Sequence, residues 1–150
     1  MNGSGPAPTT PYPGVERSTA TAWAGWVLLG ALMFVMLGAV HLGTGLVALA
    51  RPEVLAGGRA DQLLPVSMDA LAWFHIVLGA TAVIVGVGLV RGHGWARLAA
   101  VLLAGVAALV NFAFIAVWPA VSIIALTMIT VVTYAVAVHG AEVADAYGET

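Results

Sequence analysis

Three stretches of this chain carry no Asp, Glu, Lys or Arg: residues 18–50, 70–90 and 98–141. A helix needs about 20 consecutive apolar residues to cross the hydrocarbon core of a bilayer, so each of the first two stretches predicts one span. The third is twice that length and is interrupted at Trp118-Pro119, where proline removes a backbone donor and favours a break. It therefore predicts two spans joined by a tight hairpin. Unpaired backbone groups cannot face lipid, so the spans must be uninterrupted helix. The reading is an all-α, polytopic membrane protein, a four-transmembrane-helix bundle with spans near residues 24–50, 70–90, 96–118 and 120–139.

The tryptophans support the same division. Trp23, Trp26, Trp73, Trp95 and Trp118 all fall at predicted span ends, where indole rings settle at headgroup level. Overall, 61% of the 150 residues are hydrophobic and 8% are charged, against about 25% charged in soluble domains. Lys is absent, and the formal net charge of −2 offers no basic surface to nucleic acid. The absence of Cys removes disulfides, thiolate zinc sites, cysteine-ligated iron–sulfur clusters and a cysteine nucleophile.

Residues 1–22 hold Pro6, Pro8, Pro11 and Pro13 among Gly, Ser and Thr, a composition that predicts a disordered tail. The apolar run after it is longer than a secretory h-region and lacks a basic flank, so an uncleaved first span is expected. Segment 51–69, with Arg51-Pro52, Gly57-Gly58 and Pro65, reads as a loop that ends in Ser67 or Asp69 as the cap of the second helix. The four-helix domain is expected to occupy residues 23–140. Gly140 should end the last helix, with His139 at its C-terminus, and residues 141–150 should form a short acidic tail. Four passes place Arg17, Arg91 and Arg97 on one side and Arg51 and Arg59 on the other. The positive-inside rule then puts both termini in the cytoplasm of a cell membrane.

Along the first helix Gly38, His41, Gly45 and Ala48 recur at intervals of three and four, as do His75, Gly79, Ala82 and Gly86 along the second. Small residues at this spacing let helix backbones approach closely, which matters in a solvent that offers no hydrophobic drive between helices. Counted at ~1.5 Å per residue from Arg51 and Asp69, His41 and His75 lie roughly 15 and 9 Å below one membrane surface. Asn111 and Thr127, counted from Trp118 and Pro119, lie at roughly 10 and 12 Å. These four predict a polar layer in one half of the bundle. Intramembrane polar and ionisable groups are costly and face inward, which makes the layer the candidate site.

The layer has three readings. Neutral His, Asn and Thr can hydrogen-bond across helices and fix their register, each contributing ~0.5–2 kcal/mol. His41 and His75 on facing helices are a workable axial pair for a b-type haem. A polar path between four helices also suits a small-solute transporter, although no Asp or Glu lies within a span, whereas small four-helix multidrug exporters keep an intramembrane glutamate as proton carrier. Two histidines are too few for a closed zinc site, so no metal is expected. Thr127, Thr130, Tyr134 and Ala137 form one face of the fourth helix, where threonine hydroxyls bond locally. Arg91, His93, Trp95 and Arg97 read as interfacial anchors and topology determinants.

No catalytic set is recoverable. Ser67 and Ser122 lie at helix starts, where capping explains them, and neither G-x-S-x-G nor H-E-x-x-H occurs. A non-enzymatic structural or accessory subunit is expected, held in the lipid bilayer as a homo-oligomer or as part of a larger complex.

Trp23-Ala-Gly-Trp26, Gly45-Leu-Val-Ala-Leu49, residues 69–73 and 75–79, Trp95-Ala-Arg97, Asn111-Phe112, Trp118-Pro119 and His139-Gly140 together resemble a family of small actinobacterial membrane proteins known only as a domain of unknown function. The resemblance implies a four-helix domain and supplies no activity, substrate or cofactor. It also implies an acidic residue in the fourth helix where this chain has residues 127–130, a departure that would remove a proton or cation site.

Overall fold

The computed structural model describes residues 22–51, 67–113, 115–116 and 119–147. The proline-rich tail, most of the 51–69 connection and Trp118 lie outside the described residues. The chain forms four helices: α1 (Ala22–Ala50), α2 (Met68–Val90), α3 (Gly94–Ala113) and α4 (Pro119–Tyr147). No strand occurs among the described residues, and all four helices are long and apolar enough to cross a membrane.

Local chemistry explains where the helices start and stop. Ser67 is extended, and its Oγ accepts a hydrogen bond from the Ala70 N–H at 3.3 Å, which satisfies one of the free donors of the first turn. Asp69 adds negative charge at the positive end of the α2 dipole. At the other end Gly92 adopts a left-handed φ of 73°. The Gly92 N–H reaches Leu89 O and the His93 N–H reaches Gly88 O, both at 3.0 Å. This 5→2 and 6→1 pair is a Schellman ending, and it turns the chain into α3 within three residues. Proline occupies the first position of α4, where its missing N–H costs nothing.

Two boundaries differ from the sequence reading. α3 ends at Ala113, short of the expected 118. α4 does not stop at His139-Gly140 but continues to Tyr147. Gly140 is buried within the helix, and a side chain there would collide with the aliphatic stem of Arg97 from α3. The glycine makes room for a neighbouring side chain instead of ending a helix.

Each helix packs on its neighbours in chain order, and α4 closes the ring against α1. The α1–α2 pair is the tightest. A Cβ built on Gly38 would lie 2.7 Å from Gly79 O, one on Gly79 2.6 Å from Gly38 O, one on Gly45 2.7 Å from Ala72 O, and one on Gly86 2.7 Å from Ala31 O. The pairs 31/86, 38/79 and 45/72 recur every seven residues in opposite directions. They define an antiparallel seam of direct backbone contact along both helices, the geometry that favours Cα–H···O=C contacts worth about 0.5–1 kcal/mol each.

We call the end holding the Gly92 turn, the start of α1 and the end of α4 proximal, and the opposite end distal. The continuous core is proximal: Val27 and Ala31 of α1, Val85 and Leu89 of α2, Ala96 and Ala100 of α3, and Val132, Ala135, Val136 and Val143 of α4. Among the described residues of the distal half only Gly, Ala and Ser122 are buried.

Candidate functional site

His41 sits in α1 between Gly38 and Gly45, and His75 sits in α2 between Ala72 and Gly79, so backbone contact flanks the pair above and below. Their rings come together with centroids 5.2 Å apart and planes inclined at 48°. The helical phase shows which way they point. Val27, Phe34 and His41 recur every seven residues along α1, as do His75, Ala82 and Leu89 along α2. Val27 and Leu89 belong to the four-helix core, and Phe34 packs against it. Both histidines therefore lie on the faces that turn toward α3 and α4. Each is half-buried, whereas Val27 and Leu89 on the same stripes are 1% exposed.

The His75 ring is oriented by its own helix, with Nδ1 2.9 Å from Leu71 O. A carbonyl oxygen only accepts, so Nδ1 carries the proton, and Nε2 presents its lone pair in the neutral ring. The Phe74 ring stands nearly perpendicular to the His75 ring, with centroids 5.8 Å apart.

The other two predicted members behave differently. Asn111 lies on the stripe of buried Ala104, in the last turn of α3, half-buried, and its Nδ2 donates to Ala107 O at 2.8 Å. Thr127 is exposed, and its Oγ1 donates to Ile123 O at 2.8 Å within α4. Thr127 is thus on the outward face and does not join the layer. The inward stripe of α4 runs through Ser122, Ile129, Val136 and Val143, and Ser122 is 2% exposed. Gly30 of α1 meets Val132, and Trp23 meets His139. This α1–α4 register carries Ser122 to the level of His41. The sequence reading took Ser122 for a helix cap. The signal that identifies it is its seven-residue spacing from Ile129, Val136 and Val143.

A second polar group closes the proximal end. Trp23 stacks on His139 with centroids 5.1 Å apart and planes 5° from parallel, and meets Tyr134 edge-on at 5.1 Å. His139 Nδ1 lies 2.6 Å from Glu142 Oε1. Trp23 is therefore packed against α4, whereas Trp26, Trp73 and Trp95 are 39%, 58% and 52% exposed, as headgroup anchors are. Arg91 is exposed and lines a groove of ≈ 340 Å³ with His93, Trp95 and the apolar flank of α2. Arg97 is half-buried across Gly140. Thr133 Oγ1 is buried with no hydrogen-bond partner among the described residues.

Haem ligation can be tested against this geometry. Two axial imidazoles stand on opposite faces of a macrocycle, with centroids roughly 6 Å apart for metal–nitrogen bonds of about 2 Å. Here the rings are 5.2 Å apart, and the α1 and α2 backbones touch on both sides of them. No porphyrin plane fits between the two rings, and the residues do not suit a haem ligated by both.

The family described as a domain of unknown function, DUF7144, matches residues 26–141. The chain belongs to it. No match is found among the curated proteins or the solved structures. The DUF7144 match takes in α2 and α3 and most of α1 and α4, with the His41/His75 pair, the Gly92 turn and the His139-Gly140 step. The family's description gives these residues no role.

Proposed function

We propose that this DUF7144 protein is a non-enzymatic subunit of a larger membrane assembly, a rigid four-helix element whose distal half is completed by helices of a second copy or of another chain. One observation carries the reading. The α1 and α2 stripes that are sealed at the proximal end by Val27 and Leu89 are open at the distal end, where His41 and His75 are half-buried. Asn111 of α3 is half-buried there too, and Ser122 is the buried polar residue of the inward α4 stripe. Leaving polar side chains open to hydrocarbon is costly, and additional transmembrane helices relieve it. The distal parts of α3 and α4 present Leu109, Phe112, Val121 and Ile124, each more than 60% exposed. In our reading the proximal end is cytoplasmic at the plasma membrane, with Arg91 and Arg97 beside the Trp95 anchor.

The chain has no cysteine, which gives a direct test. Single cysteines at Leu109, Phe112 or Ile124 are crosslinked in native membranes and compared with cysteines at Leu32 and Val40 of α1. A stoichiometric crosslinked product confined to the α3 and α4 positions supports the reading. A chain that stays monomeric in membranes, with no crosslink at any of them, overturns it.

A further inference from the structure

We infer that His41 and His75 form an open binding site for a single Cu(I) ion between α1 and α2. Three observations combine. With one nitrogen of each ring turned to a shared ion and metal–imidazole bonds of about 2.0–2.1 Å, the ion would lie roughly 3.1 Å from each ring centroid, and centroids 5.2 Å apart would then subtend roughly 110° at it. That angle suits two ligands of a three- or four-coordinate ion and leaves room for an exogenous ligand. His75 also has the arrangement found in metal-bound histidines: its Nδ1–H is given to the Leu71 carbonyl at 2.9 Å, which fixes the tautomer and makes Nε2 the lone-pair nitrogen. The two rings are carried by helices whose backbones touch at Gly38/Gly79 and Gly45/Ala72, so the pair is held by rigid elements on both sides.

The chemistry of the surroundings selects the ion. Imidazole suits zinc, copper, iron and nickel. The described spans carry no carboxylate at the level of the pair, and no group of three or more His, Cys, Asp and Glu occurs among the described residues. A divalent cation there would keep both charges uncompensated in hydrocarbon, whereas a monovalent one brings half that burden. Cu(I) is monovalent, accepts imidazole nitrogen and tolerates low coordination numbers. The seam that excludes a macrocycle leaves a single ion its place.

The full chain, reconstituted in lipid nanodiscs, is titrated anaerobically with Cu(I) against a chromophoric Cu(I) chelator, and separately with Zn²⁺. The variants are His41→Gln and His75→Gln, with His93→Gln and His139→Gln as controls, each checked for helicity and thermal midpoint. The expected result is one equivalent of Cu(I) in the parent and both controls. Either His41→Gln or His75→Gln should weaken it at least about 100-fold, beyond the loss that removing an outer-shell partner causes. X-ray absorption of the loaded protein should show nitrogen ligands in low coordination. Equal Cu(I) affinity in parent and His41/His75 variants, tighter binding of Zn²⁺ than of Cu(I), or loss of binding in His93→Gln or His139→Gln alone would each overturn the proposal. If either site variant fails to fold, His75→Ala with added imidazole replaces it: restored binding supports the site, and no restoration in a folded protein sinks it.

Discussion

The two ends of this bundle are built from the same helices and solve different problems. At the proximal end, Val27, Val85, Leu89, Val136 and Val143 are almost fully enclosed by all four helices. At the distal end α1 and α2 remain in backbone contact through Gly38, Gly45, Ala72 and Gly79, but the faces they turn toward α3 and α4 carry two half-buried histidines in place of buried aliphatic residues. In lipid, apolar side chains gain nothing by leaving the solvent, so close fit and polar pairing have to hold helices together. The proximal end uses close fit among four helices. The distal end uses it between two and leaves polar groups facing α3 and α4. Stability and the candidate site are therefore concentrated in different halves of one scaffold, coupled by the α1–α2 seam that runs through both.

The seam should be the most sensitive feature. Gly79→Leu drives a branched side chain into Gly38 O and the Leu42 backbone nitrogen, 2.6 and 2.7 Å from the new Cβ. Neither atom is the end of a flexible side chain, so the helices must separate. We expect a loss of more than about 3 kcal/mol, beyond ordinary overpacking, read by reversible unfolding in mixed micelles. Gly43→Leu is the matched control, because nothing lies within 4 Å of its Cβ, and it should change stability by less than about 0.5 kcal/mol. Equal effects at the two positions would dissolve the seam and with it the coupling between the ends. Next in size is Leu89→Ala. It removes a side chain that is 1% exposed in the proximal core and should cost about 2 kcal/mol, at the low end for such truncations, because lipid does not penalise the exposed alternative as water does. Phe112→Ala, at a position 68% exposed, should leave the isolated chain unchanged.

Much of this organisation was legible in the sequence, and the gaps have physical causes. The four spans follow from where charge is missing, because a charged side chain at the bilayer centre is prohibitive whatever the fold. Residue counting puts His41 and His75 in the same half of the bundle, since helix rise is constant, but at depths of roughly 15 and 9 Å. It is the 38/79 and 45/72 backbone contacts that bring the two rings level. Thr127 shows what counting cannot supply: it points outward, and the α1–α4 register brings Ser122, not Thr127, level with His41. Direction is read from amphipathic phase, and a span that is apolar on all sides carries little of it. The phase had to come from burial of Ser122, Val136 and Val143. Gly140 failed for a different reason. A glycine after histidine near a helix end reads as a cap, and only the Arg97 stem, from another helix and more than forty residues away in sequence, shows that it is a packing position. Gly92 was given no role in the sequence reading; its left-handed φ shows why glycine stands at the turn between α2 and α3.

Trp23 and Trp73 divide the ends at smaller magnitude. Both were expected at the interface, yet Trp23 stacks on His139 and packs edge-on against Tyr134, while Trp73 is 58% exposed. Aromatic pairing of this kind contributes about 0.5–1.5 kcal/mol beyond buried area. Trp23→Ala should therefore lower stability by about 1 kcal/mol or slightly more, and Trp73→Ala by only a few tenths. A reversed order would mean that the start of α1 is not held to α4.

The smallest effect is the most informative about the open end. Asn111 Nδ2 donates to Ala107 O, one turn back in its own helix, so Asn111→Leu removes no bond between helices of the isolated chain. Polar contacts across membrane helices average about 0.6 kcal/mol, and Asn111→Leu should fall at or below that in the purified monomer. In native membranes the same substitution should weaken the Leu109 or Phe112 crosslink if, as proposed, the amide's remaining hydrogen-bonding capacity meets helices that complete the distal half. A loss above about 1.5 kcal/mol in the isolated chain would instead mean that Asn111 is paired across the bundle and that α3 and α4 already close over the histidines. The distal end would then be a second sealed core, and the contrast between the two halves would disappear.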